Sequence, residues 1–132
     1  MSNRFALTFT AQPHHIDELG HVNNTVWVQW IQEIATAHWV AVAPPEHLAA
    51  YVWVVTRHEI DYRGNIGPGD SVTAETSIPG PPRGAQFDRC VAFRDTAGKA
   101  IVSARSTWAL LDRATGRLCR VWPEIAAPFY AA

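Results

Sequence analysis

Phe5, Leu7 and Phe9 alternate with Arg4, Ala6, Thr8 and Thr10, the period-two pattern of a strand with one buried face. Pro13 ends it. From Asn23 or Asn24, either of which makes a good N-cap, the period changes to Trp27, Trp30, Ile31, Ile34 and His38, one face of a helix. Val26, Val28, Ala35, Ala37 and Val40 widen that face, so the spacing predicts a largely buried helix that stops at Pro44 and Pro45. Strand-like runs follow over residues 51–63, 71–78, 85–94 and 99–111, separated by GNIGPGD, PGPPRG and DTAG, each rich in turn residues. A further turn, DRATG at 112–116, precedes PEIAAPF, where Pro123 opens a last short helix.

The short connections predict four strands in an antiparallel meander, and strands longer than the usual five or six residues suit a curved sheet. A strand, a long apolar helix and then four strands predict an α+β architecture: the hotdog fold, in which a curved sheet of about five strands wraps one central helix. Cystatin-like folds place helices before the sheet, and ferredoxin-like folds need a second long helix between later strands. A single such sheet leaves an edge and a seam to cover, so a homodimer or homotetramer is expected. The 132 residues read as one domain, 1–132, with no internal repeat or linker.

Composition narrows the partners. Apolar residues make up 48% of the chain and charged ones 17%, which is material for a core and no signature of disorder. Eleven basic against twelve acidic residues give a net charge of -1, no electrostatic footprint for nucleic acid or an anionic membrane. Ten of the eleven basic residues are arginine, whose planar fork suits phosphate, so a local phosphate site stays open. Cys90 and Cys119 are too few for a disulfide framework or a zinc set and read as reduced packing residues. No apolar run approaches a membrane span and the N-terminus carries no secretory pattern, so a cytoplasmic location is expected.

The densest polar chemistry is HHIDELGHVNN, residues 14–24, between the first strand and the helix. The stretch HIDELGHVNNTVWVQWIQEIATAHW resembles the N-terminal signature of the 4-hydroxybenzoyl-CoA thioesterase family of hotdog enzymes, and plant acyl-ACP thioesterases carry a similar one. Asp17, Gly20, His21, Val22, Asn23 and Asn24 match that family's loop, while His15 stands where the family's first acid lies. The turn IDYRGNIGPGD, with a Tyr followed by a Pro/Gly turn and an Asp, is a further likeness. The resemblance implies hydrolysis of a thioester of coenzyme A or acyl carrier protein, with Asp17 as the catalytic carboxylate, a site at a subunit interface and no cofactor, coenzyme A being part of the substrate.

Elementary chemistry supports the same site. Thioester hydrolysis needs a group to deliver or activate a nucleophile and donors to hold the oxyanion. The unpaired N–H groups at a helix N-terminus are such donors, here those of residues 23–26. Gly20 lets the loop turn tightly and the substrate approach the backbone, and His21 either assists or only shapes the loop. The plain readings stand beside these: Asp17 as a turn-forming acid, Asn23 and Asn24 as a helix cap with its neighbour. His14, His15, Asp17 and His21 have no familiar metal-ligand spacing, and no metal is expected.

His58 and Glu59 point to opposite faces of one strand, and one of them can face the substrate. Arg57, Arg63, Arg83 and Arg89 are candidates for the phosphates of coenzyme A, each set against a solvated surface role; Arg83, in a Pro/Gly-rich loop, ranks first. Trp27, Trp53 and Trp108 can narrow an acyl pocket. Two other functions compete: a hotdog dehydratase of 3-hydroxyacyl thioesters, with His21 and Asp17 as its pair, and a non-catalytic acyl-CoA-binding module.

Overall fold

The computed structural model describes residues 4–130. The N-terminal alternation forms strand β1 (Phe5–Thr10), with Phe5, Leu7 and Phe9 against the core. The later runs form β2 (Tyr51–Tyr62), β3 (Ser71–Ser77), β4 (Gln86–Arg94) and β5 (Ala100–Asp112), within a residue of the expected bounds. All pairings are antiparallel, in the order β1-β3-β4-β5-β2.

That order corrects the expected four-strand meander. Only β3, β4 and β5 are consecutive neighbours; β2 crosses to the far edge and pairs along its length with β5, Tyr51 opposite Asp112 and Tyr62 opposite Val102. The GNIGPGD segment is therefore a crossover rather than a hairpin turn. Register shifts at Val55/Arg57 and at Phe93/Arg94 bend the sheet, as extra residues in one strand of a pair do.

Helix α1 (Asn24–Val42) lies in the concave face. Asn23 caps it, its Oδ1 accepting the Thr25 N–H at 2.9 Å. The stripe Trp27, Trp30, Ile31, Ile34 and His38 is buried as expected, together with Val26, Ala35 and Trp39. Val40 is not, at 58% exposed: it falls outside the stripe. The prolines end α1 as expected, but Pro45 also opens an unforeseen helix, α2 (Pro45–Ala50), since a proline's missing N–H costs nothing in a first turn. The tail forms α3 (Pro123–Ala126) and a 3-10 turn (Ala127–Phe129), which drive Ile125 and Phe129 into the core.

Two apolar clusters result. One packs the first half of α1 against β1, β3 and β4 through Trp27, Trp30 and Phe93; the other packs its second half against Phe87, Leu110 and the C-terminal turn through Trp39 and Phe129. Among the described residues no helix is long and apolar enough to cross a membrane. Cys90 and Cys119 are free and half-buried.

Candidate functional site

Pro13–His15 forms a 3-10 turn that leads the chain off β1. Ile16 and Val22 then face each other as one antiparallel bridge. It is closed on both sides: the Asp17 N–H donates to the His21 carbonyl at 2.8 Å and the Asn23 N–H to the His15 carbonyl at 2.9 Å. The chain reverses over residues 18–20, where Gly20 has φ +77, the left-handed region that glycine enters without strain. A side chain at Gly20 would meet nothing within 4 Å, so the outer side of the loop is open.

Asp17 holds this turn together. Its Oδ1 accepts the N–H groups of Leu19 at 2.9 Å and His21 at 3.1 Å. Oδ2 makes no hydrogen bond among the described residues, which leaves one carboxylate oxygen oriented by the fold and the other available. The structural and chemical readings of Asp17 are thus compatible. His21 is exposed, and its backbone N–H and carbonyl both serve the turn.

The helix entry is more selective than the sequence suggests. Of the four N–H groups from residue 23 to residue 26, Asn23 donates to His15, Thr25 to the Asn23 side chain and Val26 to the Asn23 carbonyl. Among the described residues Asn24 alone keeps an unused N–H, beside Asp17's loop and at the positive end of the helix. The Tyr62 hydroxyl donates to the Asn24 carbonyl at 3.4 Å, and burial pushes that phenol's pKa up.

A residue that sequence reasoning missed locks the loop. The bridge leaves the Val22 N–H and carbonyl pointing away from Ile16, and the Asn65 side chain takes both: Oδ1 accepts the Val22 N–H at 3.0 Å and Nδ2 donates to the Val22 carbonyl at 3.1 Å. Oδ1 also accepts the Ile66 N–H at 2.8 Å. Asn65 therefore stands in for a third strand. Asp70 ties the same crossover to β1, its Oδ2 accepting the Gly67 N–H and its carbonyl the Ala11 N–H. The signal was the position of Asn65 inside GNIGPGD, read only as turn composition.

The remaining candidates are not gathered here. His15 accepts the Gln12 N–H through Nδ1 and sets its ring edge-on to Trp30; among the described residues no three His, Cys, Asp or Glu side chains are placed to share a metal ion. Arg83 pairs with Asp88 at 3.1 Å at the start of β4, whereas the far end of β4 lies by the loop, Arg94 opposite Thr73 and Thr73 opposite Thr8. Within one chain that separates Arg83 from Asp17 by roughly the length of the strand, about 30 Å. Arg57 and Arg63 pair on the surface with Glu59 and Asp61. His58 faces inward, its Nδ1 2.6 Å from Ser106 Oγ, and burial lowers its pKa; Glu59 is exposed.

Arg89 overturns its surface reading. It is 6% exposed, because Phe87, Arg89, Val91 and Phe93 alternate on the concave face of β4, a period the sequence already shows. With Trp39, Trp53, Phe87, Trp108 and Phe129 it lines a cavity of about 360 Å³ under the second half of α1. Trp27 instead lies in the core, with no exposed surface.

Solved structures share this architecture. A provisionally assigned oleoyl thioesterase of Lactobacillus plantarum superposes with TM-score 0.86 at 19% identity, covering 97% of this chain and 51% of that one. An acyl-ACP thioesterase of Bacteroides thetaiotaomicron gives 0.79 at 24% identity, over 88% and 49%. A 1,4-dihydroxy-2-naphthoyl-CoA thioesterase of Synechocystis gives 0.81 at 10% identity, over 96% of both chains. The chain thus spans about half the length of the first two and nearly all of the third. The fold is the α+β hotdog. No curated protein sequence matches the chain. The family model described as "Acyl-ACP thioesterase N-terminal domain" matches residues 2–129, and with nearly its whole length matched this chain belongs to that family.

Proposed function

We propose that this chain hydrolyses thioesters of acyl groups carried on coenzyme A or acyl carrier protein. One observation carries the reading: Asp17 is held by one carboxylate oxygen with the other free, next to a helix entry whose unused N–H is that of Asn24. Membership of an acyl-ACP thioesterase family supports it.

In this reading the Asn24 N–H receives the carbonyl oxygen as negative charge develops on it. Asp17 either attacks the carbonyl carbon, giving an anhydride that water opens, or takes a proton from an attacking water. By either route the C–S bond breaks, the thiolate leaves and is protonated, and the acyl group becomes a carboxylate. Gly20 and His21 shape the loop around the reacting carbon, and Asn23 aims the helix entry.

The test is release of free thiol from short, long and aromatic acyl-CoA and acyl-carrier-protein thioesters. Asp17→Asn keeps an Oδ1 to accept the Leu19 and His21 N–H groups, so the loop is retained while the carboxylate is lost. Turnover should fall at least about a hundredfold, roughly 2.7 kcal/mol of transition-state stabilisation. Equal turnover by the two proteins would remove Asp17 from the chemistry, and no turnover by wild type on any substrate would favour a binding module.

The working form in this reading is a homodimer. β2 is a twelve-residue edge strand with only β5 beside it, and a second copy pairing there would cover an otherwise open row of backbone groups. The free thiols of Cys90 and Cys119 fit a reducing cytoplasm.

A further inference from the structure

Arg89 is a buried cation without an anion. Its Nη1 donates to His38 Nδ1 at 2.9 Å and to Thr76 Oγ1 at 2.8 Å, and its guanidinium lies over the Phe129 ring, 5.5 Å from the centroid. These partners are neutral. Asp88, the next residue back, is held by Arg83, Arg105 and Thr107 on the other face of the strand, and Arg89 makes no ion pair among the described residues. Its Nε and Nη2 make no hydrogen bond there either.

A guanidinium keeps its proton under all ordinary conditions, so it cannot escape burial by neutralising. Leaving a charge unpaired inside a protein is strongly unfavourable, and two bonds from one nitrogen to neutral acceptors compensate only part of it. The free side of the fork belongs to a residue that lines the cavity. Trp53 and Trp108 both line it, and among the described residues their buried indole N–H groups have no acceptor. Arg113 adds a second cation at the rim, where it is exposed and donates to the Tyr51 carbonyl at 3.2 Å. Asp88 and Thr36 also line the cavity, the Asp88 carboxylate being occupied by Arg83, Arg105 and Thr107; the rest of the wall is apolar and aromatic, and the volume, about 360 Å³, falls in the range of small-molecule sites.

We infer that this cavity is a binding site for a small organic carboxylate with an aromatic or aliphatic body, its anionic group taken by the free edge of Arg89. A planar fork and a carboxylate match in two parallel hydrogen bonds, and the aromatic walls take the body. The site is distinct from the Asp17 loop in the same chain: Thr36, on the cavity wall, is twelve residues along α1 from Asn24, about 18 Å of helix. The inference therefore does not depend on thioester hydrolysis.

The test uses the intact protein and no thioester. Benzoate and octanoate, with benzamide and octanamide as neutral counterparts, are titrated while tryptophan fluorescence is followed, because Trp39, Trp53 and Trp108 line the cavity. At least one acid should bind about tenfold or more tighter than its amide. Arg89→Met should abolish that preference, Arg89→Lys should keep part of it, and Asp17→Asn should leave it unchanged. Replacing a buried charge by an apolar side chain of similar length is commonly tolerated; should Arg89→Met fail to fold, the wild-type comparison of acid with amide decides alone. No preference for the acid in wild type, a preference that survives Arg89→Met, or one lost in Asp17→Asn would each overturn the proposal. Because these readouts need no turnover, failure here and failure of the hydrolase reading are separate results.

Discussion

Asn65→Ala removes the side chain that completes the loop's hydrogen bonding. The Val22 carbonyl loses its donor at 3.1 Å and the Ile66 N–H its acceptor at 2.8 Å, while the Val22 N–H keeps the Ile66 carbonyl at 3.2 Å. Val22 has no exposed surface and Ile66 only 7%, so water reaches the orphaned groups poorly. Each stranded group costs about 1–3 kcal/mol, and together they should lower stability by about 3 kcal/mol, a fall in Tm of roughly 10 °C for a chain of this size. Thermal unfolding followed by circular dichroism measures it. Asn65→Asp is the comparison: its carboxylate still accepts from Val22 and Ile66 but sets an anionic oxygen against the Val22 carbonyl where a donor stood, so it should lose at least as much. Thioester turnover should fall in both variants, because Asp17 and Asn24 are placed by the segment that Asn65 clamps. An Asn65→Ala protein melting within about 2 °C of wild type would refute the clamp.

Two further outcomes are expected. Burial, and after it the charge of Arg89, lowers the His38 pKa from 6.5 to about 4; the folded protein then binds fewer protons than the unfolded one in that window, so the stability this group contributes is full above pH 6.5 and is lost as pH falls toward 4, up to about 3 kcal/mol. Urea titrations from pH 7 to 4 should show wild type losing that much more than His38→Gln, and parallel curves would remove His38 as the cause. For the edge of the sheet, Val54→Lys places a charge on β2 at a position already 39% exposed, where a symmetric partner would oppose like charges. Light scattering should give twice 14.6 kDa for wild type and 14.6 kDa for the variant; a wild-type monomer would end the homodimer reading.

Local pattern was enough for the elements. Period two at Phe5, Leu7 and Phe9, period 3.6 from Trp27 to His38 and the glycine and proline clusters between strands each report an interaction with near neighbours in the chain, and these survive folding unchanged. The HHIDELGHVNN loop was legible for the same reason: an asparagine cap, a glycine where φ must be positive and an acid whose carboxylate bonds to N–H groups two and four residues on are all short-range chemistry. The alternation on β4 also held Arg89 inside, although arginine's preference for the surface obscured it.

Tertiary structure decided what depends on pairing across the chain. No local signal places β2 beside β5 instead of β3, because a Gly/Pro-rich connection of this length can close a turn or cross a sheet. That one choice brings Asn65 to Val22 and leaves β2 as an open edge. A side chain's period along the sequence sets which face it occupies, but what it meets on that face is a property of strand order, and strand order is settled by the burial of the whole sheet against α1.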